Sequence, residues 1–252
     1  MNIKLFFQAI IKYVIGVLCV GSLLFIPANT FKYWNGWLFM GLLFIPMFMA
    51  GMVLMIKNPE LLKKRLNARE KEAEQKHVIA FSGLMFVSGF IVAGLNYRYS
   101  WIVIPNIVVI IASILFIVAY ILYAEVLREN TYLSRTIEVQ ENQKVIDTGL
   151  YGIVRHPMYA VTLLLFLTIP LILGSIISFL IFLIYPIIIA KRIKNEEAVL
   201  ERDLKGYKEY KKKVKYKMIP FGQLGRPFLT KKREGQNRAS QLTKKRGEFN
   251  GK

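Results

Sequence analysis

The sequence predicts an all-α integral membrane protein of about six transmembrane helices, the last two forming a helical hairpin, with a small cytoplasmic cap. Three observations predict it. The chain is 54% hydrophobic over 252 residues, more than an ordinary soluble domain carries. Its charges are segregated, leaving five stretches without Asp, Glu, Lys or Arg: Tyr13 to Phe31, Tyr33 to Ile56, Val78 to Tyr97, Trp101 to Ala124 and Ala160 to Ala190. Basic residues collect in alternate connections between those stretches.

Each of the first four runs has roughly the 20 residues that cross a hydrocarbon core of about 30 Å as a helix. Lipid offers no partner for backbone N–H and C=O groups, so helices are expected throughout. Lys4 and Lys12 flank the first run, but a second span follows at once and no small-residue cleavage site is evident, so it reads as a retained span. The single cysteine, Cys19, lies within it and reads as a small packing or lipid-facing residue. One cysteine allows no internal disulfide or cysteine-ligated metal cluster, and no metal site is expected. The second run carries Gly36, Gly41 and Gly51 among several methionines, a pattern suited to close helix packing. Trp34, Trp37, Tyr97, Tyr99 and Trp101 fall near run ends, where amphipathic rings anchor helices at the interface.

The fifth run, about 31 residues, would be about 46 Å long as one helix, too long for an upright crossing. Either a single helix kinks at Pro170, or two short helices meet at Gly174-Ser175. Charge favours the hairpin. Lys57, Lys63, Lys64, Arg65, Arg69, Lys71 and Lys76 mark one connection, and Arg128, Arg135, Lys144 and Arg155 another; the opposite connections carry only Lys32 and Arg98. Positive residues are retained inside, so six crossings with both termini cytoplasmic satisfy every connection. Five would place the basic tail outside.

The formal net charge of +19 is accounted for by this topology and by attraction to anionic headgroups, about 1 kcal/mol per residue near the surface. No nucleic-acid motif accompanies it, so the expected partner is the bilayer. The chain divides into N-terminal helices (1–125), a catalytic-type region (126–225) and a basic tail without apolar periodicity (226–252), which reads as disordered. Between the fourth and fifth runs, Thr131 to Val139 is β-branched-rich, Glu141-Asn142-Gln143 suits a turn, and Lys144 to Ile146 can pair back, predicting a small ribbon or an irregular cap. Gly149 permits a turn, and Pro157 suits the first turn of the next helix.

Ionisable residues bracket the fifth run. Arg155-His156-Pro157-Met158-Tyr159 opens it, and Arg192, Glu196 and Glu197 follow its end. His156 and Tyr159, three apart, share a helix face, and Arg192 and Glu196 form an i, i+4 pair. A hairpin brings both clusters to one membrane face. Singly, each residue has a structural use: a headgroup contact for Arg155 and His156, balance of a basic helix end for the glutamates, interfacial anchoring for Tyr207 and Tyr210.

Together, Gly149-Leu150-Tyr151, Arg155-His156-Pro157-Met158-Tyr159, Arg192-Ile193 with Glu196-Glu197-Ala198-Val199-Leu200, Tyr207-Lys208-Glu209-Tyr210 and Ile219-Pro220 resemble the integral-membrane isoprenylcysteine carboxyl methyltransferase family, a pattern shared with phospholipid methyltransferases. The resemblance covers about Asn130 to Phe221. It implies S-adenosylmethionine as methyl donor, a cytoplasmic cap that binds this cofactor, and a lipophilic or small acceptor (carboxylate, thiol or amine). Carried over, Tyr151, His156, Pro157, Tyr159, Glu197, Tyr207 and Tyr210 are cofactor-binding, and Arg155, Arg192 and Glu196 are catalytic; either glutamate holds the donor's amino group or ribose hydroxyls. Two rivals stand beside it. Sterol-type membrane reductases carry a similar Arg-His-Pro-x-Tyr element but use NADPH, and a non-enzymatic lipid-binding protein would need none of these groups.

Overall fold

A computed structural model describes residues 3–66, 73–133 and 139–219. Ten helices occur among them, and no strand. Helix α1 (Ile3–Ala28), α2 (Trp34–Lys57), α4 (Ala73–Tyr99) and α5 (Asn106–Glu129) are long; α3 (Pro59–Leu66) is a short basic helix between α2 and α4. Then come α6 (Gly149–Ile153), α7 (Pro157–Ile172), α8 (Ile176–Phe182), α9 (Tyr185–Asp203) and α10 (Tyr207–Lys213). Five segments are long and apolar enough to cross a membrane: Ile3–Ala28, Trp34–Lys57, Val78–Tyr99, Asn106–Glu129 and Ile176–Asp203; Pro157–Ile172 is a sixth, shorter apolar helix. Large apolar side chains such as Ile11, Leu18, Ile107 and Ile187 face outward along them, as lipid-facing residues do.

The fifth run folds as the hairpin. Pro170 stays inside α7, and the break comes at Gly174, whose φ of +73° suits glycine. Ser175 then caps α8, its hydroxyl accepting from the Ser178 amide at 3.2 Å. A helix end leaves carbonyls without intrahelical partners, and in lipid these must be satisfied by protein. Side chains from two other helices satisfy them here. Asn35 of α2 donates to Ile172 O at 2.8 Å, the Tyr33 hydroxyl to Leu173 O at 2.6 Å, and Asn96 of α4 to Gly174 O at 3.3 Å. The turn is thereby fastened to both α2 and α4. Tyr33→Phe, which leaves the Leu173 carbonyl unpaired in a buried place, is expected to cost about 1–3 kcal/mol, seen as a lower Tm of the detergent-purified protein.

The core is aromatic. Phe86 and Phe90 of α4 pack on Phe182, and Phe39 on Phe90 and Phe116. Gly89 lets Phe182 lie against the α4 backbone, since a β-carbon there would overlap its ring, and Ser178 donates to Gly89 O at 2.8 Å. The α8 and α9 arm of the hairpin thus packs against α4 and the α7 arm against α5, which holds the start of α7 and the end of α9 in fixed register.

The connection from Asn130 to Thr148 is irregular where described: the Gln143 amide bonds Gln140 O, and Asn142 takes a positive φ of 58° in the turn. Of the two outcomes expected from sequence, this is the irregular cap; residues 134–138 of the expected strand lie outside the described residues. So does the expected disordered tail. Trp34, Trp37, Tyr97, Tyr99 and Trp101 are exposed at helix ends, as expected of anchors, and Cys19 is exposed in α1.

Candidate functional site

Helix α7 opens at Pro157, with His156 as its N-cap residue. The hairpin sets that opening against the last turns of α9. Arg155, His156 and Glu197 meet there, each buried to 6% exposure or less. One Glu197 oxygen, Oε1, accepts from Arg155 Nε at 2.9 Å and lies 3.2 Å from His156 Nε2. A carboxylate only accepts, so Nε2 is the ring nitrogen that carries hydrogen. The other oxygen, Oε2, faces Lys211 Nζ at 3.3 Å and Lys217 Nζ at 3.5 Å. Four cationic or proton-bearing groups therefore surround one buried carboxylate.

Arg155 is equally occupied. Besides Glu197, its guanidinium donates to Val214 O at 2.7 Å and Lys215 O at 3.0 Å. The main chain follows the same line: Arg155 N bonds Tyr216 O at 2.9 Å and His156 N bonds Lys217 O at 2.8 Å. The segment after α10 thus lies across the Arg155-His156 corner as a strap. Tyr210 ties α10 to α6, its hydroxyl donating to Tyr151 O at 2.7 Å.

A second cluster lies one residue away on α9. The Tyr159 hydroxyl donates to Glu196 Oε2 and accepts from Arg192 Nε at 3.0 Å. The expected i, i+4 pair of Arg192 and Glu196 is thus bridged by a tyrosine from α7. The rings of His156 and Tyr159 lie 5.7 Å apart on one face, as their spacing predicts. The geometry separates the two glutamates. Glu197 has both oxygens committed, whereas Glu196 has a single oxygen bonded among the described residues.

Near Glu196 the protein leaves two phenol oxygens, Tyr151 Oη and Tyr207 Oη, shielded from solvent and without a hydrogen-bond partner among the described residues. Asn130 lies beside the Tyr151 hydroxyl, outside hydrogen-bond geometry. Burial first pushes both phenols well above the ordinary tyrosine range; the charge of Glu197, then of Glu196, adds to this at Tyr207, and that of Glu196 adds to it at Tyr151. They remain protonated donors at any physiological pH. Buried polar atoms lacking a partner cost free energy, and a polar ligand that accepts from them removes the cost.

All ten residues expected from the sequence gather at this end of the hairpin. Pro157 contributes the helix start, and Tyr151 and Tyr207 contribute hydroxyls. Sequence reading passed over Lys211, Lys217 and the strap 214–217. The two lysines sit in a lysine-rich stretch where nothing local marks them out.

The model of the isoprenylcysteine carboxyl methyltransferase (ICMT) family matches residues 109–202. No curated protein matches the chain. The matched segment runs from α5 through nearly all of α9 and contains Arg155, His156, Tyr159, Arg192, Glu196 and Glu197, while Tyr207 and Tyr210 follow it. Over residues 109–202, from α5 to α9, this membrane chain is similar to the isoprenylcysteine carboxyl methyltransferase family.

Proposed function

We propose that the protein transfers a methyl group from S-adenosylmethionine to a lipophilic or small acceptor at the cytoplasmic membrane face, using the site between α6, α7, α9 and α10. The observation that supports it most is the pair of buried hydroxyls without a partner, Tyr151 Oη and Tyr207 Oη, close to a half-committed Glu196. These suit a ligand with a cationic amine, a carboxylate and ribose hydroxyls. S-adenosylmethionine supplies an already activated methyl on a sulfonium.

The chain's own residues then have separable roles. Glu196 accepts from the donor's amino group or ribose, held in place by Tyr159 and Arg192. Tyr151 and Tyr207 donate to its oxygens. Glu197 holds Arg155 and His156, and through them the strap, so that the pocket wall does not move. Arg192 stands beside Glu196 on the face where an acceptor would meet the donor. In-line transfer from a sulfonium needs mainly alignment, for which about 7–11 kcal/mol is available from fixed geometry. An amine or hydroxyl acceptor must also lose a proton, for which Glu196, Glu197 and His156 are the candidate bases. The basic flanks of Lys57 to His77 and the tail support a cytoplasmic face with anionic lipid around it. The catalytic unit on this reading is residues 126–225.

The test is calorimetric titration of the detergent-purified protein with S-adenosylmethionine and, separately, NADPH. Binding of S-adenosylmethionine alone is expected. Binding of NADPH alone would move the site to reductase chemistry, and binding of neither would leave a lipid-binding protein.

A further inference from the structure

Glu129 is the last residue of α5, where a carboxylate meets the negative end of its own helix. Its reason for being there lies 21 residues on. Glu129 Oε2 accepts from the Leu150 amide at 3.0 Å, one of the amides that the start of α6 leaves without a helical partner. Thr148, the N-cap residue of α6, makes no side-chain cap bond, so Glu129 does that work from another helix. Gly149 is shaped to admit it. Its φ is +48°, and a β-carbon at that position would overlap the Glu129 carboxylate.

What α6 carries makes this contact consequential. Its third residue is Tyr151, whose hydroxyl lacks a partner and whose carbonyl receives Tyr210; it ends two residues before Arg155. Five residues cannot hold a helix alone, so the direction of α6 depends on outside contacts. We infer that Glu129 is a positioning residue of the active site: it pins the start of α6 to the end of α5, and so sets Tyr151 on one side and the Arg155-His156 corner on the other. This rests on the proposed methyltransferase reading for its effect on ligand binding, though not for its effect on α6.

The test compares the full-length parent with Glu129→Gln, Glu129→Ala and Gly149→Ala in detergent. Calorimetry reads S-adenosylmethionine affinity, and hydrogen exchange reads the amides of 150–153. A glutamine oxygen still accepts from the Leu150 amide. Glu129→Gln is therefore expected within about threefold of the parent Kd, and Glu129→Ala and Gly149→Ala about tenfold weaker, the size of one lost interaction of about 1.4 kcal/mol. In the latter two, exchange speeds up at 150–153 and not in α1 or α4. Parent-like binding and exchange in Glu129→Ala would overturn the inference, as would a glutamine variant as weak as the alanine one. If the parent itself binds no S-adenosylmethionine, the functional reading falls, and exchange at 150–153 still decides whether Glu129 pins α6.

Discussion

Glu197→Ala is expected to destabilise the protein by about 3–5 kcal/mol and to abolish measurable S-adenosylmethionine binding, because it removes the one anion that a buried cluster shares. Lys211 and Lys217 are partly exposed, at 37% and 28%, and can turn to water. Arg155 cannot: it is buried, always charged, and tied to Val214 and Lys215 carbonyls. It must either remain as an uncompensated charge or withdraw, taking the strap with it. Thermal unfolding in detergent measures the loss. Glu197→Gln, which keeps an acceptor without the charge, should fall between the parent and the alanine variant. An alanine variant as stable as the parent would mean that Glu197 is no keystone.

Glu196 is expected to behave in the opposite way. Glu196→Ala removes one bond from Tyr159 at a half-buried position, at most about 1 kcal/mol, a Tm shift of about 2–4 °C for a chain of this size. Its effect on ligand affinity should be much larger. A charge-assisted hydrogen bond to the donor's amine is worth about 1.5–3 kcal/mol, so affinity should fall roughly 10- to 150-fold. Adjacent glutamates would then differ in stability: the Glu197 variant loses ligand together with its fold stability, and the Glu196 variant loses ligand with its stability nearly intact. If calorimetry found Glu196→Ala binding as tightly as the parent, the ligand contact would have to be sought elsewhere, with Tyr151 and Tyr207 the next candidates.

Much of this site is legible without coordinates where its logic is local. The shared face of His156 and Tyr159 follows from a three-residue spacing, and Pro157 at a helix start follows from its missing N–H. The hairpin itself follows from length and from the sidedness of charge. Glu129 shows the limit. A carboxylate at a helix C-terminus reads as a minor electrostatic misfit until its partner across 21 residues is seen. Tyr159 shows another: spacing pairs Arg192 with Glu196 directly, and only the packing of α7 on α9 inserts a hydroxyl between them.

By itself the sequence determined the long apolar helices and the break in the fifth run at Gly174-Ser175; the short helices α3, α6 and α10 and the separation of α8 from α9 came from the structure. The long helices and the break follow from one-dimensional quantities: the length of an apolar run against bilayer thickness, and the cost of an unpaired backbone group in lipid. The division of labour between Glu196 and Glu197 belonged to the tertiary structure. Both glutamates have the same local chemistry, and they differ only in which side of α9 they occupy. One side meets Arg155, His156 and two lysines, one from α10 and one from the strap beyond it, and the other meets the Tyr159 hydroxyl. Which partners a carboxylate finds, 14 to 42 residues away, depends on how the hairpin packs, α7 on α5 and α8 and α9 on α4, and no spacing along the chain encodes that arrangement.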